Sequence, residues 1–341
     1  MKRVTIQPLF KYSILFNAVL SPAKDINSNL FMSGRYALER SLLELIKKHK
    51  QFEKIYIPNL ICEEVVTIIE NTGIKIEYYN INHRLQIDTK MLEESITDKL
   101  SVILIVNYFG FPSQWGRINE MRKRKQCIII EDNTHSLYSS LNKKKLGCYG
   151  DISFNSFRKI LPLLSGSELI SNTKDIVFKN THESRGLNIS EIMYSLRGFK
   201  NLFVKKSSRK NNINKNKYLP PEPIDIFSKR ILGNYKFDKN KIKMIRVKNY
   251  HFWYNYLRNQ DLNFFDDLKL NENICPYVFP CYADNNEIIN KWIKWGNEHN
   301  INIITWPKYH PSTIPFLNDD FKKRILCFPV NQQFDLTHII R

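Results

Sequence analysis

The chain has 341 residues, 43% of them hydrophobic and 25% charged, with a net charge of +19. That balance excludes a disordered chain and leaves room for two domains, and no run reaches the roughly 18 apolar residues that a membrane helix needs. Six cysteines without a CxxC pair and eight histidines without ligand spacing argue against a disulfide framework and a metal site. They point to reduced thiols in a cytoplasmic setting.

The N-terminal MKRVTIQPLFKYSILFNAVLSPA has a short apolar part flanked by Lys11 and interrupted by Asn17, a poor match to a secretion leader. RYALERSLLELIKKH places Leu38, Leu42, Leu45 and Ile46 at helical spacing. KIYIP reads as a strand, CEEVVTIIENTG as a helix stopped by Gly73, IKIEYYN as a strand and DTKMLEESI as a helix. SVILIVNYFG and CIIIED read as strands buried on both faces, with the helix QWGRINEMRKRKQ between them. ISFNSF and SELIS are two further strands. The alternation predicts an α/β fold with a large, mostly parallel sheet and helices on both faces. Ligands of such sheets sit at the carboxyl ends of the strands, which selects Asn107, Asp132 and the strand end at Arg158–Lys159.

Much of the charge lies in FKNLFVKKSSRKNNINKNK, a basic loop over residues 199–217 that ends at Pro220-Pro221. It carries no nucleic-acid-binding motif and reads as a solvated linker, so no nucleic-acid partner is expected. Beyond it come the aromatic helix IKMIRVKNYHFWYNYL, CPYVFPCY, a helix around NEIINKWIKWGNEHN, INIITW and ILCFPV. These predict a small C-terminal α+β domain over 221–341, after a large domain over 1–220.

Three local features carry chemistry. SGRYAL opens a helix with Ser33 as N-cap and Gly34 allowing close approach, an arrangement that favours a phosphate. EDNTHS puts Asp132 at the end of a buried strand, where a carboxylate can meet a cation. Lys159, with Arg158 beside it and Ser156 three residues earlier, is a candidate amine nucleophile once desolvated. Each has a plainer alternative: an ordinary cap, a loop Asp, a solvated lysine. Together they are the parts of a pyridoxal 5'-phosphate site, where an anion cradle, a carboxylate for the pyridine nitrogen and a lysine are all needed.

The order SGRYAL, IPNLICEEV, IEYYNIN, IVNYFGFP, IIIEDNTHS, KKLGCYGDISFNSFRK and SELISN resembles the DegT/DnrJ/EryC1/StrS family of pyridoxal-phosphate-dependent aminotransferases. PYVFPCY, ITWPKYHP and ILCFPVNQQF resemble that family's small domain. The resemblance implies fold type I of the pyridoxal-phosphate enzymes, a homodimer, an amino-acid donor such as glutamate and a nucleotide-linked keto-sugar acceptor. It implies that Lys159 holds the cofactor, Asp132 meets the pyridine nitrogen and His135 lies near the phenolic oxygen. Ser156 and the backbone of Ser33, Gly34 and Arg35 would hold the phosphate.

Four departures stand out. Cys62 occupies the place of a stacking aromatic. The glycine-rich turn after the lysine is reduced to Leu164–Ser167. The spacing from Asp151 to Lys159 is short. Asn188 only loosely matches an asparagine that the family offers to a neighbouring subunit. Cys62 and the reduced glycine turn support a second reading, a binding or scaffold protein that kept the fold without turnover, which the retained Asp132 and Lys159 oppose. Lys159 argues against the branch that carries histidine there and dehydrates. The absence of GxGxxG and GxxxxGK[ST] argues against nicotinamide and ATP enzymes.

Overall fold

The computed structural model describes residues 3–20, 26, 28–49, 52, 54–97, 100–178, 184–187 and 221–338. The basic loop 199–217 and Asn188 lie outside the described residues.

The first part of the chain builds a seven-stranded sheet. After helix α1 (Tyr12–Leu20) come β1 (Asn29–Phe31), α2 (Gly34–Lys48), β2 (Lys54–Pro58), α3 (Glu63–Asn71) and β3 (Lys75–Tyr79). α4 (Thr89–Ser95), β4 (Ser101–Val106), α5 (Trp115–Arg124) and β5 (Cys127–Asn133) follow. A small hairpin of β6 (Ser140–Leu141) and β7 (Lys144–Lys145) precedes β8 (Ile152–Asn155), the one-turn helix α6 (Phe157–Ile160) and β9 (Ser167–Ser171). The sheet order is β1-β9-β8-β5-β4-β2-β3. β8, β5, β4, β2 and β3 are parallel neighbours, and β9 runs antiparallel between β8 and β1. Central β4 is buried at every position, which its SVILIV sequence satisfies with no polar side chain but Ser101.

Two reversals across β9 leave β1 running with β8. The segments after β1, β2, β4, β5 and β8 therefore all leave the sheet at one edge. Ser33, Cys62, Asn107, Asp132 and Lys159 meet there. Lys159 lies in α6, one residue turn beyond the strand, and not at the strand end that the sequence suggested.

The second part contains α7 (Ile226–Asn234), α8 (Lys239–Leu257), β10 (Asn263–Phe264), β11 (Val278–Tyr282), α9 (Asn286–Glu298), β12 (Ile304–Thr305) and β13 (Ile325–Pro329). Its strands form an antiparallel sheet in the order β10-β11-β13-β12. Three contacts seat the start of β11 on the site edge. Tyr277 N donates to Phe109 O (2.8 Å), and Cys275 N donates to Ser139 Oγ (2.9 Å). Gly110, at φ 108°, lies so near Cys275 O that a Cβ would come within 2.5 Å of it. The N-terminus joins the same unit, with Val4 exchanging backbone hydrogen bonds with Asn300 and Asn302.

The turn after Lys159 has an unexpected anchor. The hydroxyl of Ser165 donates to buried Asp225, at the N-terminus of α7. Ser228 Oγ accepts from Leu164 N (3.1 Å) and Ser165 N (3.2 Å), and Ser228 N donates to Asp225 Oδ1 (2.8 Å). The turn, with Gly166 as its single glycine, is thus tied down by a buried polar network. We expect Asp225→Ala to lower unfolding free energy by about 2–4 kcal/mol, because it strands buried donors. Urea denaturation checks this, and a loss within experimental error would remove the network from the account.

Candidate active site

Each side chain at the site edge is delivered by a strand end. β5 carries Asp132 beside its last residue, Asn133, and the chain continues into Thr134 and His135. Asp132 is buried, and its Oδ1 accepts from Thr134 N at 2.9 Å. Thr134 Oγ1 in turn accepts from Lys159 Nζ at 3.3 Å. Lys159 also lies 5.5 Å from the centroid of the Tyr277 ring. His135 is stacked on that ring at 4.6 Å and lies parallel to Phe109 at 5.9 Å, with Trp306 edge-on at 5.4 Å.

Burial sets the proton balance of this cluster. It pulls the Lys159 amine below the ordinary lysine value, against the opposing pull of Asp132. Burial pushes Asp132 up, and the charge of Lys159 acts against that. His135 falls well below its usual value, first through burial and then through Lys159. It is therefore neutral, and because its Nδ1 accepts from Phe109 N (3.4 Å), the ring proton sits on Nε2. Cys62 is pushed up to about 12 by burial, with Glu64 adding to the effect, so it stands beside Lys159 as a neutral thiol.

The helix start differs from the expected cap. Ser33 occupies the N-cap position of α2, but its side chain makes no capping bond, and its buried Oγ has no hydrogen-bond partner. The first-turn N–H groups of a helix lack intrahelical acceptors, so donors converge there with an unused hydroxyl. Gly34 is closely approached by the protein's own groups: a Cβ would lie 2.7 Å from Thr134 Cγ2 and 3.3 Å from the Phe154 ring. Arg35 is partly exposed with its guanidinium over Tyr36, 5.3 Å from the centroid.

Ser156 is buried at the start of α6, and its side chain does not cap that helix. Backbone bonds through Gly166 hold this segment against β1: Phe157 N donates to Gly166 O, and Gly166 N to Met32 O, both at 2.9 Å. Ser33 and Ser156 therefore follow neighbouring segments of the same edge.

Asn107 is the sequence candidate whose side chain is already used. Its Oδ1 accepts from Ser113 N (3.0 Å) and Trp115 Nε1 (3.1 Å), and its Nδ2 donates to Glu131 (2.8 Å). Conversely, Thr134, Phe109 and Tyr277 were not singled out from sequence. Thr134 lies inside EDNTHS and Tyr277 inside CPYVFPCY, but nothing local marks either residue. Their proximity to Lys159 depends on long-range pairing.

The arrangement can do three things chemically. It can supply an amine whose protonated form is disfavoured by burial, place a carboxylate opposite a cation and receive an anion at the α2 start. We expect Gly34→Ala to cost about 1–3 kcal/mol by overpacking against Thr134 and Phe154. A urea midpoint unchanged from wild type would show that this approach carries no energy.

Residues 33–168 match the DegT/DnrJ/EryC1/StrS aminotransferase family. GDP-4-keto-6-deoxy-D-mannose 3-dehydratase of Yersinia pseudotuberculosis is 30% identical over 112 residues, covering 32% of this chain and 28% of that protein. GDP-perosamine synthase of Escherichia coli O157:H7 is 27% identical over 161 residues, covering 46% of this chain and 44% of that protein. The chain thus spans less than half the length of these curated relatives. Among solved structures, PseC of Helicobacter pylori, an aminotransferase involved in the biosynthesis of pseudoaminic acid, superposes with a TM-score of 0.70 at 14% identity. That superposition covers 99% of this chain and 96% of that one. An E. coli GDP-4-keto-6-deoxy-D-mannose-3-dehydratase with bound hydrated PLP gives 0.68 at 16% identity, covering 99% and 98%. The chain has the fold of these proteins.

Proposed function

Starting from a chain that carries the DegT/DnrJ/EryC1/StrS aminotransferase pattern over residues 33–168, we propose that it is a pyridoxal-phosphate-dependent aminotransferase. It would take an amino group from an amino acid such as glutamate and deliver it to a nucleotide-linked keto- or aldehyde-sugar, in the assembly of surface polysaccharide or related products. The observation that carries this reading is the meeting of Lys159, Asp132 and the unpartnered Ser33 hydroxyl at one sheet edge. The matched relatives include both a dehydratase and an amino-sugar synthase. Lys159, where the dehydrating branch carries histidine, favours transamination.

The site's residues fit the cofactor. The α2 start and Ser33 would hold its phosphate, with Ser156 from the adjoining segment. Asp132 would face the protonated pyridine nitrogen, a cation that offsets the cost of burying the carboxylate. The bound cofactor supplies an electron sink for the carbon that loses its proton. Lys159, pulled toward its neutral form by burial, would attach the cofactor and later move that proton. Thr134 steadies the amine through its hydroxyl. His135 Nε2–H is a donor suited to the phenolic oxygen. Cys62, a neutral thiol, would touch the ring only by van der Waals contact, and the aromatic surface near the amine comes from Tyr277.

The reading includes a homodimer, as the family resemblance implies, and a cytoplasmic setting, supported by six unpaired cysteines. Among the described residues no helix is long and apolar enough to cross a membrane. The turn after Lys159, one of the two features that favoured a scaffold without turnover, is anchored through the Ser165 hydroxyl.

The test is an absorption titration with pyridoxal phosphate. Wild-type protein should form a lysine-bound band that borohydride removes, with the adduct mapped to Lys159 and the band shifted by glutamate. Lys159→Ala should show no such band. Ser33→Ala should bind the cofactor about tenfold more weakly, through loss of one charge-assisted hydrogen bond. A folded wild-type protein without the band at saturating cofactor would overturn the proposal.

A further inference from the structure

A buried cation in the second half of the chain reaches both sides of the lysine. Arg246, in α8, is wholly buried and forms no ion pair among the described residues. Its Nη1 donates to the carbonyls of Pro276 (3.0 Å) and Tyr277 (3.1 Å). Its Nε donates to Gln332 Oε1 at 2.7 Å, and Nη2 has no acceptor. The amide of Gln332 then donates to Ile160 O at 2.6 Å, the carbonyl immediately after Lys159. Burying a guanidinium against neutral acceptors is costly, and an apolar side chain would fill the space without that cost. What the guanidinium adds is several directed donors in one rigid plane.

We propose that Arg246 and Gln332 are positioning residues for Lys159. They clamp the one-turn helix that carries the amine to the backbone that carries Tyr277, and so fix the amine against the Tyr277 ring and the Thr134 hydroxyl. The clamp joins residues 160, 246, 277 and 332, which the sequence keeps far apart. Its catalytic meaning rests on the reading of Lys159 given above, but its physical effect does not. Released from the clamp, the amine would spend more time in water and titrate closer to an ordinary lysine. The charged or titratable groups facing the amine are Asp132 from β5, Cys62 and Glu64 from the start of α3, His135, Tyr277 just before β11, and Arg158 on its own helix. The substitutions below leave all of them in place.

The experiment labels cofactor-free protein with trinitrobenzenesulfonate across pH and follows Lys159 by peptide mass spectrometry. Gln332→Met keeps the volume and adds no charge. Arg246→Lys keeps the charge and loses the planar fork. Both should raise the labelling midpoint by about half a pH unit or more. Trp292→Phe, a core change in α9 that touches neither side of the clamp, should leave it unmoved while lowering stability. An unchanged midpoint in folded Gln332→Met overturns the proposal, as does an equal shift in Trp292→Phe. If Gln332→Met does not fold, Arg246→Lys decides by the same measure. Failure of both to fold overturns the positioning role, because the residues are then needed for the fold itself. Labelling needs no cofactor, so a protein that refuses pyridoxal phosphate would still report on the clamp.

Discussion

Desolvation of charge at a single sheet edge governs this molecule. Lys159 and Asp132 are each pushed toward neutrality by burial, and each is the main charge opposing that push on the other. Neither group could be left there alone without a large cost. The parallel register of β5 with β4 and β8 fixes where the carboxylate emerges, and α6 fixes where the amine does. Everything nearby serves to keep that pair in place: Thr134 between them, the aromatic cluster around His135, and backbone bonds through Gly166.

Buried polar groups next to this edge act as its scaffolding. Glu131, one residue before Asp132, is fully buried and accepts from Gly147 N (2.6 Å), Tyr149 N (2.8 Å), Gly150 N (3.1 Å) and Asn107 Nδ2 (2.8 Å). It pins the approach to β8 while its neighbour faces the site. Adjacent carboxylates on one strand point to opposite faces, so one can be structural and the other chemical. On the far side of the lysine, Asp225 and Ser228 hold the Leu164–Ser167 turn through its backbone N–H groups and the Ser165 hydroxyl.

The helical and strand periods of SVILIV, CIIIED and RYALERSLLELIKK are local properties, and the structure places those elements as the sequence predicted. The rule that parallel sheets gather ligands at their carboxyl ends selected Asp132 and Lys159 from the sequence, and the two meet through Thr134. It also selected Asn107, whose amide the structure spends on Trp115, Ser113 and Glu131. Position at a strand end does not say whether a side chain is free. That depends on which partners the rest of the fold brings up.

The amino-acid sequence by itself determined the alternation of elements, the family pattern and the residues able to carry an amine, a carboxylate and an anion cradle. Those follow from residue type and short-range spacing, which act within a few residues. Only the tertiary structure decided that Ser33 Oγ is left without a partner, that Thr134 and Tyr277 stand beside Lys159, and that Arg246 and Gln332 reach it from the other half of the chain. The reason is physical: hydrogen bonding and desolvation depend on which atoms meet after distant segments pack, and no local period encodes that meeting.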